Sequence, residues 1–219
     1  MIRSTSAPKW LNRLERPLGW IAVPQLGVIL VTLQAIGYFF VMTNSEWVAN
    51  LALIPEAVRR GEAWRLITFL ALPLSSSPIW MLFILMFLYS IVNSLEREWG
   101  AFRTTFYVLF SYFLTVAFSM AFDYPILQIG HFQSTLFLAA ASLFPEMEIR
   151  IFFFIPAKMK WLAALSGVFI LLEMIRGSWL DRAYILCIYS SFIVFFGPAA
   201  LASVRQILRR RKYQRDLRD

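Results

Sequence analysis

The chain has 219 residues, 59% of them hydrophobic and only 16% charged, with a mean hydropathy of +0.64 and a net charge of +8. That balance excludes an ordinary soluble domain and suits a single membrane bundle of about six spans. A lone cysteine, Cys187, lies inside an apolar run, which excludes a disulfide framework and a paired-thiol metal site.

Residues 1 to 20 form a first, basic unit with Arg3, Lys9, Arg13 and Arg16. Trp10, Leu11, Leu14, Leu18 and Trp20 recur at roughly helical spacing, so an interfacial helix is expected there. No small-residue cleavage site follows a short apolar core, so no cleaved signal peptide is expected. The membrane domain proper occupies residues 21 to 204, and a basic tail, a short helix or a disordered end, occupies 205 to 219.

The first span is Ile21 to Met42, long enough for a core about 30 Å thick. Pro24 lies near its start, where a missing amide costs little. Its polar residues Gln25, Thr32 and Gln34 are expected to face protein. Residues 43 to 77 are too broken to span. Trp47, Val48, Leu51, Leu53 and Ile54 mix with Glu46, Asn50 and Glu56 before Pro55, which predicts interfacial or re-entrant segments held against the bundle.

Span two runs from Pro78 to Ser94 without a charge and is closed by Glu96, Arg97, Glu98, Trp99 and Gly100. Span three is Thr104 to Phe122, and span four is Tyr124 to Phe144, stopped by Pro145 and Glu146. The Phe152 to Ile155 run is too short to cross and is flanked by Arg150, Lys158 and Lys160, which places it at the interface. Span five is Trp161 to Ile175. Span six is Ala183 to Val204, with Gly197 and Pro198 predicting a kink.

With six spans, sixteen of the 21 Lys and Arg residues fall on the side that carries both termini. The other side keeps only Arg59, Arg60, Arg65, Arg176 and Arg182. By the positive-inside rule this predicts an integral, multi-pass protein with cytoplasmic N- and C-termini. The excess charge then meets anionic lipid at the bilayer surface. No nucleic-acid-binding module accompanies it, so nucleic acid is not an expected partner.

Several features together resemble the rhomboid superfamily: the long outer loop bearing Trp64 and Arg65, a second span ending in Leu95, Glu96 and, four residues on, Gly100, and the IFFFIPAKMKWL stretch before span five. The resemblance covers nearly the whole chain and implies an all-α, six-helix fold. It also implies scaffold roles for Trp64 and Arg65 in the outer loop and for Glu96 and Gly100 in the bundle.

The family's proteases carry a His and an Asn that help stabilise the oxyanion at the start of span two. The corresponding register here holds Trp80 and Ile84, and Ile84 offers no donor. The family's serine motif has its nearest counterpart in Gly130-His131-Phe132-Gln133, with Phe132 in place of the serine. The general-base position falls on Ser190, with Ile193 where a glycine would allow spans four and six to approach. The chain has one histidine, so a dyad across two helices is impossible. The resemblance therefore implies a pseudoprotease, akin to derlins and inactive rhomboids, with no catalytic residues and no cofactor.

His131 and Ser134 lie three apart on one helix, but no oxyanion hole or orienting group is evident for a relocated dyad. One His with Asp123 and Gln128 nearby is no metal shell. Gln128, His131, Thr135, Ala139 and Ser142 form a small, polar stripe along span four, expected to bond with Gln34 or Asn93 unless it lines a client-binding groove. Glu173 is expected to pair with Arg176. The function expected is binding of other transmembrane segments, as chaperone, adaptor or subunit of a membrane complex. The alternative is an intramembrane serine protease with a displaced site.

Overall fold

The computed structural model describes residues 9–151 and 155–216; residues 1–8, 152–154 and 217–219, with the side chains of 9, 10, 12, 149–156 and 199–219, lie outside the described residues. Arg3, the Trp10 side chain, the Phe152 to Ile155 side chains and the basic side chains of the tail therefore fall outside the description. The rest is an all-α membrane protein with one small hairpin. Four helices are long and apolar enough to cross a bilayer.

The basic start forms α1, Lys9–Leu18. Its apolar stripe turns inward, with Leu11 fully buried and Leu14 and Leu18 packed on the core, while Arg13 and Arg16 stay exposed. The first spanning helix, α2, is Leu26–Thr43 and begins five residues later than the hydropathy suggests. Proline restricts its neighbours and offers no amide, and Gln25 adopts a left-handed φ of 57°. Gln25 thus ends a turn instead of facing the bundle, and Thr32 is exposed; of the three polar residues only Gln34 is buried.

Residues 44–77 fold into three short helices, α3 (Trp47–Leu51), α4 (Pro55–Arg59) and α5 (Arg65–Thr68), followed by a 3-10 turn at Phe69–Ala71. None is long enough to span. One internal brace and three contacts with the bundle hold the loop. The Arg65 guanidinium donates to the carbonyls of Ala49 and Ala52, the Tyr112 hydroxyl donates to Leu66 O at 2.9 Å, and Phe69 stacks on Tyr112. The third tie is steric: Gly37 of α2 is a notch into which the Ala71 backbone fits.

Pro78 at the first position opens α6, Pro78–Trp99, which continues through Glu96 to Glu98. Gly100, at φ 85°, ends α6 and starts α7, Ala101–Phe122, a turn that glycine makes without strain. Next to this corner the Glu96 carboxylate accepts from the amide of Gln25 at 2.8 Å, joining the start of α2 to the end of α6.

Span four is shorter than expected. Its helix, α8, is Gly130–Leu143, 14 residues or about 21 Å, too short to cross a hydrocarbon core unaided. Tyr124 to Ile129 are apolar but for Gln128 and are not helical, because Pro125 forces Tyr124 away from the α region and Ile126 pairs with Leu53 through two backbone hydrogen bonds. Ala139 and Ala140 have no exposed surface and Ala141 little, and such small side chains let α6, α7 and the helices that follow pack directly on α8.

Two strands, β1 (Glu148–Ile151) and β2 (Ile155–Lys158), pair antiparallel at the position expected for a non-crossing segment. Lys158 and Lys160 clasp Glu146 at its base. The next helix, α9, is Met159–Arg176 and buries only Met159. Last comes α10, Trp179–Asp216, in which span six and the basic tail form one continuous helix through Pro198. Aromatic rings fill the junction of α6, α7 and α10: Trp99 stacks on Phe196 at 4.8 Å, and Tyr107 meets Phe195 edge-on at 5.1 Å. Ile193 is 61% exposed, so it faces outward and does not hold α8 and α10 apart, contrary to its expected role.

Candidate functional site

The buried centre of α8 carries polar groups that satisfy themselves locally. Thr135 donates to Phe132 O at 2.8 Å and Ser142 to Leu138 O at 2.9 Å, the return bonds that hydroxyls make in apolar helices. Thr135 O in turn accepts from Tyr107, and Ser111 bonds Ser191 at 3.0 Å across α7 and α10. The expected partners Gln34 and Asn93 do not enter these bonds: Gln34 lies on α2, which packs chiefly on α6, and its buried Oε1 has no partner among the described residues. Gln128 leaves the stripe altogether: it lies in the non-helical segment before α8 and is exposed.

His131, in the first turn of α8, reaches out of this self-contained core. Its Nε2 lies 3.2 Å from Glu173 Oε1 on α9, and its Nδ1 lies 3.4 Å from the Tyr189 hydroxyl on α10. Glu173 therefore pairs with His131 and not with Arg176: the carboxylate turns inward to α8 while Arg176 stays exposed. A Ser134 hydroxyl contact extends the chain from Tyr189 back to α8. The Tyr184 ring meets the imidazole edge-on at a centroid distance of 5.6 Å.

A second polar group sits beside it. The Tyr124 hydroxyl donates to Asp181 Oδ1 at 2.7 Å, and Asp181 Oδ2 accepts from the amide of Ser178 at 2.8 Å. The Asp181 amide in return donates to the Ser178 hydroxyl oxygen at 3.3 Å, so Ser178 and Asp181 form a capping box at the start of α10. Burial, and then the Asp181 carboxylate, push the Tyr124 phenol well above its ordinary pKa, which keeps it the donor in this pair.

These groups line two adjoining cavities. One, of about 840 Å³, is a polar vestibule with Tyr124, His131, Glu173, Arg176 and Asp181 on its walls. The other, of about 560 Å³, is an apolar cleft between Phe83 and Phe87 of α6 and Leu165 and Phe169 of α9, floored by α8. Gln128, His131, Phe169 and Glu173 belong to both, so vestibule and cleft adjoin along that wall.

The positions that the expected resemblance sets at a protease site, Trp80, Ile84, Phe132 and Ser190, do not converge here. Phe132 is 2% exposed and points into the core. Ser190 donates to Cys187 O at 2.6 Å. Trp80 packs edge-on against Phe83, and Ile84 lines a third cavity of about 310 Å³ with Gln133 and Ser134, which adjoins the cleft along Phe87, Gly130, Ser134 and Phe137. Among the scaffold residues, Arg65 is 6% exposed and bonded to the loop, Glu96 and Gly100 shape one corner, and Trp64 is exposed.

Sequence reasoning missed Tyr124, Asp181, Tyr184 and Tyr189 and left His131 without an orienting group, which Glu173 supplies. A signal existed in the spacing of Asp181, Tyr184, Ile185, Ile188 and Tyr189, one face of a helix. Among the described residues no group of three His, Cys, Asp or Glu is placed to hold a metal ion. Comparison with protein families, with curated proteins and with solved structures finds no match.

Proposed function

We propose that the chain is a non-catalytic, rhomboid-like membrane protein that receives other transmembrane segments beside the cleft between α6 and α9, as an adaptor or subunit of a membrane complex. In this reading α8 and α9 complete a six-helix bundle with α2, α6, α7 and α10, and both termini are cytoplasmic. The observation that carries it is the sparse packing of α9, which buries only Met159 and leaves a lateral cleft toward α6. A segment docking there covers apolar side chains of both helices and gains packing contacts that lipid supplies less well.

A photoreactive residue at Leu165 or Phe83 is expected to give discrete adducts with membrane proteins in native membranes, while one at Phe39, exposed on α2, gives lipid adducts only. Equal yields of protein adducts at all three positions would remove the cleft from the proposal. Orientation is tested separately by reporters: one fused at Asp219 is expected in the cytoplasm and one inserted near Ala49 on the opposite side. The same compartment for both would exclude the six-helix topology.

The serine protease alternative gains one observation, the Glu173 carboxylate against His131. The opposite nitrogen, however, faces the Tyr189 hydroxyl, so the imidazole has no nitrogen left to activate Ser134. We therefore expect a fluorophosphonate probe to leave the purified protein unlabelled. Labelling abolished by both Ser134→Ala and His131→Ala would instead establish a dyad.

A further inference from the structure

We propose that the vestibule and cleft together bind one aminophospholipid, with its zwitterionic headgroup between Glu173 and Arg176 and an acyl chain between α6 and α9. The inference goes beyond client docking and does not depend on it. Its basis is the joining of a polar cavity bearing both charge signs to an apolar cleft through shared walls. A ligand filling both spaces has a charged end and a hydrocarbon end.

The charged groups specify the head. Arg176 lines the vestibule, is exposed and makes no ion pair among the described residues, so its donors are available to a phosphodiester. Glu173 engages His131 through Oε1, and its side chain is 49% exposed, which leaves Oε2 for an ammonium group. Asp181 has both oxygens engaged by Tyr124 and Ser178, so it adds negative potential without being the direct ligand. Tyr124 and Phe169 also line the vestibule.

Spacing agrees with this assignment. Glu173 and Arg176 stand three apart on α9, where Cβ atoms are about 5–6 Å apart, comparable to the two-carbon bridge between phosphate and ammonium in an ethanolamine head. A headgroup with phosphate alone would bring its charge to Arg176 but meet Glu173 and Asp181 uncompensated. The apolar cleft, about 560 Å³ and lined by Phe83, Phe87, Leu165 and Phe169, suits an extended hydrocarbon chain.

The test uses the full chain in delipidated detergent micelles, with native mass spectrometry reading retained lipid. Phosphatidylethanolamine is expected to remain as a one-to-one adduct and to outcompete phosphatidylglycerol about tenfold. Glu173→Gln should erase that preference, and Arg176→Ala should weaken both lipids. Because Glu173 also ties α9 to α8, His131→Phe serves as the second variant: it removes the tie, keeps the carboxylate and should preserve the preference for ethanolamine. Free phosphoethanolamine should compete poorly, since it lacks the chain. Equal retention of the two lipids by the unaltered protein, a preference unchanged in Glu173→Gln, loss of it in His131→Phe, or competition by free phosphoethanolamine as effective as the lipid would each overturn the proposal.

Discussion

Gly37→Ala is expected to be among the most damaging single substitutions in this chain, lowering the thermal midpoint in detergent by about 6–12 °C. A Cβ at position 37 would lie 1.9 Å from the carbonyl oxygen of Ala71 and 2.7 Å from its carbonyl carbon. Those are backbone atoms of a 3-10 turn, so no side-chain rotation relieves the clash. The turn must withdraw from α2, and Phe69, which is fully buried, moves with it. Overpacking of this kind costs about 3 kcal/mol, and for a chain of this size each kcal/mol shifts the midpoint by about 2–4 °C. Gly167→Ala is the matched control, because nothing lies within 4 Å of its added Cβ. If both variants melt within about 1 °C of the parent, the loop is not seated on α2 as described.

Gly37 illustrates what hydropathy leaves unread. A glycine inside an apolar span reads as one more tolerated small residue, and its importance lies in a partner 34 positions away. The spans built on long uncharged runs, α6 and α7, were legible because nothing in them competes with the helix. Span four was misplaced at its start because hydropathy is blind to backbone: Tyr124 to Ile129 are apolar but for Gln128, yet Pro125 and the pairing of Ile126 with Leu53 keep them out of the helix. The same blindness put Gln128 on a helix face it does not share.

The polar site was legible only in part, for a related reason. His131 stood out as the single histidine, but its partners come from α9 and α10, 42 and 58 residues on. Glu173 has Arg176 three residues away on its own helix, and a local pair is the natural expectation from sequence. The tertiary arrangement overrides it, because α9 presents Glu173 toward α8. By contrast Arg65 could be read in advance, since a guanidinium with five donors in a chain segment with unpaired carbonyls has an evident task.

Arg65→Ala is therefore the second large effect expected, about 3 kcal/mol of destabilisation centred on the 44–77 loop. The side chain is 6% exposed and donates from Nη1 to Ala49 O and, at 2.9 Å, to Ala52 O, while Nε and Nη2 meet the Glu62 carboxylate at 2.7 Å. Ala52 has no exposed surface, so its carbonyl cannot take water instead. A buried acceptor left without a partner costs about 1–3 kcal/mol, and removal of the guanidinium orphans one fully and a second in part. The Glu62 pair adds less, since that carboxylate is 35% exposed and rehydrates when released. Glu62→Gln should accordingly cost under about 1 kcal/mol. Arg65→Lys should fall between the two, because an ammonium keeps the charge but lacks the planar fork that meets two carbonyls through Nη1 and the Glu62 carboxylate through Nε and Nη2. Hydrogen exchange locates the damage: amides of 48–54 should lose protection in Arg65→Ala while those of α7 keep theirs. Loss spread evenly over the chain, or a stability change below about 0.5 kcal/mol, the scale of a neutral surface substitution, would show that Arg65 does not anchor the loop.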